Sequence, residues 1–310
     1  MKTQTLNAPL FSRLPIAELS LLLTAIFWGT SYGITKEALI YTSVLAFIVI
    51  RFSLTSLLLL PNYWRDARKG LTTDWKYALP TGVILLCIFL AETYGIFHTT
   101  ASKAAFLISL CVLMTPFVEA ITTKQWPPKS IIGFALLSVV GVLLLTQKEL
   151  GGSSLIPALK LNLGDYCILL AALLRACMVV STQVLLKGKR LSALNITSIQ
   201  ANVVSVGALV IFLMSDIKMS DLVPMEWHFW LLAFYLVIFC TIFALFAQNY
   251  GVKHTTSSRV ALLTGSEPAF GALFAFVWLG ESLTVIQMIG GICILLATLM
   301  ATMQGRKTRP

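Results

Sequence analysis

The heptapeptide Tyr94-Gly95-Ile96-Phe97-His98-Thr99-Thr100 is echoed later in the chain by Tyr250-Gly251-Val252-Lys253-His254-Thr255-Thr256. Each copy ends one long apolar run and precedes another. The first copy follows the third apolar run and the second follows the eighth, so the repeat unit contains five runs. If every run crosses a membrane, this odd number inverts the second copy relative to the first. The echo therefore predicts an all-α integral membrane fold, with ten transmembrane helices arranged as two inverted five-helix repeats.

Composition predicts that lipid is the main solvent of this chain. Hydrophobic residues make up 57% of it and charged residues only 12%, and its mean hydropathy is +0.86. A helix needs about 20 residues to cross the hydrocarbon core of a bilayer. Ten runs meet that length, and continuous apolar stretches such as Leu54–Leu60 lack the alternation of barrel strands. We place the spans at residues 17–36, 41–60, 77–98, 102–121, 130–147, 164–186, 196–214, 228–250, 257–279 and 283–303.

The basic residues predict the orientation in the membrane. One set of loops and ends collects Lys2, Arg13, Arg65, Arg68, Lys69, Lys76, Lys124, Lys129, Lys187, Lys189, Arg190, Lys253, Arg259, Arg306, Lys307 and Arg309. The positive-inside rule then places both termini in the cytoplasm of a multi-pass protein of the cytoplasmic (inner) membrane. Because topology accounts for the net charge of +10, and no basic stripe is interleaved with aromatic residues, no nucleic-acid partner is expected.

A polar connector divides the chain into two domains. Residues 1–147 form the first predicted five-helix repeat, 148–163 an external linker rich in Gly and Ser, and 164–310 the second repeat. The other loops are too short for a soluble catalytic domain. His98 and His254 lie at equivalent helix ends without clustered partners, and the cysteines show no paired spacing. We therefore predict no metal, no cofactor and no enzyme activity.

Five charged residues within the predicted spans are the strongest functional signal. Arg51, Arg175 and Glu267 fall near the bilayer midplane, Glu92 toward the outer side and Glu119 toward the inner side. A charge at such depth costs a few kcal/mol on insertion scales. Two interpretations stay open: each arginine pairs with a glutamate to hold helices together, or these side chains face a water-filled cavity where carriers of inverted repeats bind substrate.

Prolines follow two of the polar positions inside spans. Glu267 directly precedes Pro268, and Thr115 directly precedes Pro116 in the fourth span. A proline inside a helix removes a backbone hydrogen bond and favours a kink, which we expect at both places. A carboxylate beside such a kink can exchange a proton or bind a cationic group. The candidates for proton coupling are Glu267, Glu92 and Glu119.

Aromatic and amide side chains supply further candidates for a binding site. Trp28-Gly29-Thr30-Ser31-Tyr32-Gly33 combines aromatic faces with a GxxxG spacing that permits close helix packing, and packing alone is the simpler interpretation. The predicted substrate-binding residues are Glu267, Arg175, Trp28, Tyr32, Tyr94, Gln248 and Tyr250. The predicted structural or gating residues are Arg51, Pro116, Pro268, Gly29 and Gly33.

Several motifs together resemble the EamA-type transporters of the drug/metabolite transporter superfamily. The closing signature is similar in Leu263–Phe270, Trp278–Glu281 and Gln287–Gly291, and the first half has a counterpart in Thr100–Leu107 with Thr115-Pro116. Trp28-Gly29 and Arg51 also resemble family residues, whereas Arg175 is not expected from the family pattern. The resemblance implies two inverted five-helix repeats, a central cavity, alternating access, and often export of amino acids or other metabolites.

These observations predict a secondary transporter that moves a small metabolite, an amino acid or another amphipathic organic solute, with export as the expected direction. Its partners would be this solute and the bilayer, with proton coupling and oligomeric state left open. Arg175 is expected to clamp a carboxylate or phosphate of the substrate, so that Arg175→Ala would abolish transport without unfolding the protein. The alternative is a uniporter or a channel-like pore. An intramembrane enzyme would need a nucleophile, metal cluster or paired carboxylates, and none is apparent.

Overall fold

The secondary structure of the described chain is helical throughout. A computed structural model describes residues 16–99, 101–145, 161–217, 222–278 and 284–307, without the side chains of 102, 103, 145, 274–278, 301, 302 and 304–307. Residues 148–160 of the predicted linker lie outside the described residues, as do residues 1–15 and 308–310, on which the predicted position of the termini depends. The motif residues 279–281 lie outside them as well.

Thirteen α-helices follow one another in the described part of the chain. They are α1 Ile16–Ala38, α2 Val44–Arg68, α3 Leu79–His98, α4 Ala101–Ser109, α5 Cys111–Thr123, α6 Lys129–Leu145, α7 Leu163–Leu185, α8 Ala193–Leu213, α9 Trp227–Val237, α10 Ala244–His254, α11 Ser257–Thr264, α12 Glu267–Trp278 and α13 Val285–Lys307. A 3-10 turn, Trp75–Tyr77, precedes α3, and a π-helical segment, Ile238–Phe243, joins α9 to α10 without a break.

Polar side chains at the helix starts explain several of these boundaries. The Ser43 side chain accepts a hydrogen bond from the backbone at the start of α2, and Ser192 does the same for α8. Asn162 and Asp165 form a reciprocal capping box at the start of α7. Such caps satisfy N–H groups that have no partner within the helix. The predicted start of this span at residue 164 is therefore accurate to one residue.

The structure differs from the predicted spans at three places. The second span was expected to end at residue 60, but α2 continues through Pro61 to Arg68. The fourth predicted span is divided between α4 and α5 at Leu110, and the ninth between α11 and α12. The ninth is interrupted because Gly265 and Ser266 leave the helix, so that Glu267 begins a new one.

In the part of the chain that the structure describes, six helical stretches are long and apolar enough to cross a membrane. They are Val44–Arg68, Trp75–His98, Ala104–Thr123, Leu163–Leu185, Ala193–Leu213 and Trp227–His254. Large apolar side chains such as Leu57, Val206 and Phe234 are more than half exposed on their outer faces. In water such a surface would aggregate, whereas lipid solvates it. The chain is an all-α integral membrane protein.

Helix directions follow from contacts at the two ends of the bundle. The first turn of α1 contacts the start of α11 through Glu18 and Arg259, whereas its last turn contacts the end of α3 through Lys36 and Thr99. Thr99 also contacts Asp165 in the first turn of α7. Consequently α1 and α3 run in one direction, and α7 and α10 run in the opposite direction. Every one of these four helices contributes to the interior described below.

The α1–α12 crossing brings two backbones into direct contact. A Cβ atom built on Gly29 would lie 2.7 Å from the carbonyl oxygen of Glu267 and 2.7 Å from the nitrogen of Gly271. A Cβ on Gly33 would meet nothing within 4 Å. The predicted close approach therefore involves Gly29 and not Gly33.

We expect Gly29→Ala to lower the melting temperature of the purified protein. The added methyl group would force the backbone of α1 or of α12 to move, and overpacking of this kind costs about 1–3 kcal/mol. Gly33→Ala is the matched control and should leave the melting temperature within error, since its site is open. The measurement is thermal unfolding in detergent. Equal melting temperatures for the two variants would contradict the close approach.

Candidate functional site

Three charged side chains from different helices meet in the interior, and we call them the central ion-pair cluster: Glu92 of α3, Arg175 of α7 and Glu267 of α12. Nη2 of Arg175 lies 3.0 Å and 3.2 Å from the two carboxylate oxygens of Glu92. Nη1 of Arg175 lies 3.3 Å from Oε1 of Glu267. The Arg175 side chain is only 12% exposed and that of Glu267 only 1%. One guanidinium thus bridges carboxylates from both halves of the chain.

The Glu267 carboxylate has one oxygen fully engaged and one without a partner. Oε1 accepts from Arg175 and, at 3.0 Å, from the Tyr32 hydroxyl. Oε2 is buried and has no hydrogen-bond partner among the residues that the structure describes. A buried carboxylate oxygen without a donor is costly, because the group has lost its water and no protein donor replaces it. Glu267 therefore has an unused capacity to bind a proton or a donor group.

A π-helical segment holds Trp28 over the arginine. The Arg175 guanidinium lies 4.6 Å from the centre of the Trp28 ring, a cation–π contact. The indole Nε1 donates to the Cys240 carbonyl at 2.9 Å. This carbonyl lies in the segment Ile238–Phe243, and π-helical turns of this kind are frequent at functional sites.

Arg51 supports the same segment from the other side. Its Nε donates to the Thr241 hydroxyl at 2.7 Å, and its Nη2 lies 3.4 Å from the Cys240 carbonyl oxygen. The guanidinium also lies 5.0 Å from the centre of the Phe89 ring. The sequence left open whether each arginine pairs with a glutamate. Arg175 does so, whereas the hydrogen bonds of Arg51 go to Thr241 and Cys240.

A small cavity adjoins the cluster. Its walls are Trp28, Cys111, Thr115, Arg175, Val179, Gln248, Ala261, Thr264, Gly265 and Glu267. The cavity volume is about 10 Å³, which is about the space that one water molecule requires. Gln248 contributes a second buried oxygen without a partner, Oε1. A metabolite therefore fits here only after the surrounding helices have moved.

The structure divides the predicted substrate-binding residues into two sets. Glu267, Arg175, Trp28 and Gln248 line the cavity, and Tyr32 contacts Glu267. Tyr94 and Tyr250 do not line it.

These two tyrosines are paired instead with histidines on their own helices. Tyr94 is 41% exposed, and its ring centre lies 4.4 Å from that of His98. The Tyr250 ring centre lies 4.0 Å from that of His254. The repeated Tyr and His of the echo therefore form equivalent ring pairs at helix ends.

Polar contacts join helices at one end of the bundle, and we call these residues the first gate: Glu18, Glu119, Gln183 and the segment 255–259. Arg259 and Glu18 form an ion pair at 3.3 Å, with both side chains nearly buried. Oε2 of Glu119 accepts from the backbone N–H of Ser258 at 3.0 Å and from its hydroxyl. Gln183 accepts from Ser257 and donates to the Thr255 carbonyl. Glu119, a predicted proton site, is engaged in this closure.

Polar contacts also join helices at the opposite end, and we call these residues the second gate: Lys36, Thr99, Asn162 and Asp165. Nζ of Lys36 donates to the Thr99 carbonyl, and the Thr99 hydroxyl donates to Asp165 at 2.7 Å. The Asn162 amide donates to the His98 carbonyl at 3.2 Å. The described conformation thus has polar contacts between helices at both ends of the bundle.

The two prolines occupy different positions in their helices. Pro268 is the second residue of α12, so it begins a helix and does not kink one, as proline is suited to do. Pro116 does lie inside α5. The break in the fourth span falls earlier, at Leu110. The expected kink is therefore wrong for Pro268, and its place is taken by an interruption before Glu267.

Sequence reasoning missed two of the three acidic residues of the gates. Glu18 and Asp165 both lie inside spans drawn from the sequence, and both are buried in the structure. They were overlooked because they lie near span ends, where a charge is usually solvated. The test for intramembrane charge would have found them if it had been applied to the full length of each span.

The chemistry of the interior suits binding better than bond making. The described side chains include no group of three or more His, Cys, Asp or Glu that could hold a metal ion. At the centre, Glu92 and Glu267 contact Arg175, and Glu267 also contacts Tyr32 beside a small cavity. These features define a class of helical membrane proteins with a buried polar binding centre.

Comparison with known proteins identifies the family. The family model described as "EamA-like transporter family" matches residues 15–147 and 162–303. The chain belongs to the EamA-like transporter family, and it is a transporter and not an enzyme. The resemblance inferred from the sequence motifs is thereby confirmed.

Individual relatives agree with this assignment. Two proteins of Archaeoglobus fulgidus, each described as an uncharacterized transporter, are 26% identical over 288 residues and 28% identical over 293 residues. The first match covers 93% of this chain and 86% of the relative, and the second 92% and 96%. One solved crystal structure has a TM-score of 0.74 over 95% of this chain and 99% of its own at 13% identity, which shows the shared fold alone.

Proposed function

We propose that this protein is a secondary transporter that moves a small amphipathic metabolite out across the cytoplasmic membrane by alternating access. Substrate would bind at the central ion-pair cluster and the adjoining cavity. The observation that carries the proposal is a buried Glu267 oxygen that has no partner among the described residues, on a side chain that lines a small cavity between helices that run in opposite directions. Such a centre, at the interface of the chain's two halves, is where carriers built from repeats bind their substrates.

The proposal includes ten membrane-spanning helices in two inverted repeats, residues 1–147 and 164–310, joined by an external linker at 148–163. Equivalent contacts support it. Leu21 packs on Gly251, and Ile168 packs on Gly95. Gly95 and Gly251 hold the same place in the echoed heptapeptide, while Leu21 precedes Trp28 by the same spacing as Ile168 precedes Arg175. The two family matches also divide the chain at this linker.

The two gates are related in the same way. Glu18 and Asp165 occupy equivalent positions in the first turns of α1 and α7. Each contacts a residue just after the helix, α10 or α3, in which the repeated sequence of the other half lies. Glu18 contacts Arg259, and Asp165 contacts Thr99. A chain with equivalent closures at opposite ends can open one while the other stays shut, which alternating access requires. With both termini in the cytoplasm, the first gate would face the cytoplasm.

Glu267 also offers a place for a coupling proton. Its free oxygen would be satisfied either by a proton or by a donor on the substrate, so the two would compete for one group. Glu92 is a weaker candidate because Arg175 contacts both of its oxygens. Glu119 would act at the first gate, where it holds Ser258.

Counterflow in proteoliposomes tests the proposal. Vesicles with purified protein are preloaded with an unlabelled candidate solute, and uptake of a tracer amount of the labelled solute is measured against empty vesicles. We expect preloading to give a transient overshoot for at least one class among amino acids, amines, organic acids and nucleosides. Saturable flux without an overshoot would favour the uniporter, and electrical currents in single-molecule steps would favour a pore.

The first gate gives a separate prediction. Arg259→Gln removes the ion pair with Glu18 and should open that end more often, so that a membrane-impermeant thiol reagent added on that side modifies Cys111 faster. The charge-swapped pair Glu18→Arg with Arg259→Glu should restore slow modification, and exposed Arg68→Gln is the control. Unchanged modification in folded Arg259→Gln protein would contradict this role of the first gate.

A further inference from the structure

We propose that the substrate presents a protonated amine to the cavity and that this ammonium group binds the free oxygen of Glu267. The inference deepens the proposed function and rests on it. It replaces the expectation from the sequence that Arg175 clamps a carboxylate or phosphate of the substrate.

The Arg175 guanidinium already holds two carboxylates and lies over an aromatic ring. Its Nη2 is directed at both oxygens of Glu92, its Nη1 at Glu267, and its face lies over the Trp28 ring. An anionic substrate would have to displace a carboxylate from this guanidinium. It would then leave a buried glutamate without its ion-pair partner, and an unpaired buried charge is strongly destabilising.

Two buried side-chain oxygens of the cavity are acceptors that no described donor reaches. Oε2 of Glu267 and Oε1 of Gln248 are both buried and without a partner. A carboxylate or phosphate would bring more acceptors and further negative charge against Glu267. An ammonium group brings three donors and no acceptor, so it matches both oxygens.

A second buried arginine, Arg51, is directed elsewhere. Its hydrogen bonds go to Thr241 and Cys240, and it is not among the residues that line the cavity. It therefore offers no alternative site for an anion.

The test uses sets of ligands that share one side chain and differ only in charge. One set is phenylalanine, phenethylamine and 3-phenylpropionate, and a second is leucine, isoamylamine and isocaproate. Each compound is tested by thermal stabilisation of purified protein and as a competitor of counterflow. We expect the amine and the amino acid of at least one set to bind and compete, and the acid to bind at least about 10-fold more weakly, since a charge-assisted hydrogen bond supplies that difference.

Variants connect this preference to the named atoms. Glu267→Gln should reduce the amine-over-acid ratio about 10- to 100-fold. Gln248→Leu removes the second acceptor without changing charge and should weaken amines while leaving the acid unchanged, which keeps the inference testable if Glu267→Gln folds poorly. Glu226→Gln, on the exposed surface at the start of α9, is the matched control.

The outcomes separate the two claims. If amino acids and acids compete equally while amines do not, the amine inference is overturned and the transporter proposal stands. If amines stabilise the protein but no solute shows counterflow, the binding site stands and the carrier mechanism fails. If no compound of any charge binds or competes, both are overturned.

Discussion

Glu267→Gln should reduce transport of the substrate to background in proteoliposomes. The substitution keeps the size of the side chain, and its amide oxygen can still accept from Arg175 and Tyr32, but an uncharged NH2 donor replaces the free carboxylate oxygen. This oxygen is buried and contacts no other described group, so no neighbouring side chain can take over its contact with the substrate. We expect a loss of at least about 100-fold in initial rate at subsaturating substrate, corresponding to a charged hydrogen bond of about 3 kcal/mol.

The control for this experiment is Glu226→Gln, which neutralises an exposed carboxylate outside the cavity. Its rate should equal that of the wild type. Both variants should be monodisperse in detergent and reconstitute to equal density. A Glu267→Gln protein that meets these conditions and transports at more than half the wild-type rate would show that Glu267 is not in the substrate path.

Arg175→Ala should lose both stability and transport. The sequence led to the expectation that this variant would fold normally, but the structure changes that expectation, because Arg175 holds two buried carboxylates from separate helices. Removing one partner of a buried ion pair costs about 3–5 kcal/mol. Arg175→Lys keeps the charge but lacks the planar fork, so it should retain part of the stability and little transport.

A double variant separates the structural contribution of Arg175 from its contribution to transport. Arg175→Met with Glu92→Gln removes the arginine together with the carboxylate that it contacts most closely, so much of the stability should return. Transport should not return, because Glu267 would no longer be oriented. Thermal unfolding and counterflow on the same preparation measure the two effects, with exposed Arg68→Lys as control. Full transport by the double variant would show that Arg175 serves stability alone.

Much of the architecture was readable from the sequence because lipid imposes a simple rule. Apolar runs such as Leu163–Leu185 must be helical, since backbone groups in hydrocarbon need partners within the same segment. Helix interruptions were less readable. Continuous apolar residues mask the π-helical segment Ile238–Phe243 and the break at Leu110. By contrast, Gly265 followed by Pro268 was a usable signal for the end of one helix and the start of the next.

The site was only partly readable, for a related reason. Glu92, Arg175 and Glu267 each stood out as a charge within an apolar run. Their meeting at one guanidinium depends on how three distant helices pack, and no local pattern encodes it. Tyr94 and Tyr250 were selected for their chemistry, but their rings pair with histidines outside the cavity walls. Neither the free oxygen of Glu267 nor the occupied state of Arg175 could be inferred without their partners.

Protection of Cys111 by substrate is the decisive measurement for the proposed binding site. Cys111 lines the cavity with Glu267 and Arg175. A variant that retains Cys111 as its single cysteine is reconstituted, and alkylation by a small maleimide is timed with and without an amine substrate identified by counterflow. We predict that substrate slows alkylation, with a half-maximal concentration equal to that for transport. Unchanged alkylation at saturating substrate, in vesicles that still show counterflow, would place the substrate path elsewhere and contradict binding at the central ion-pair cluster.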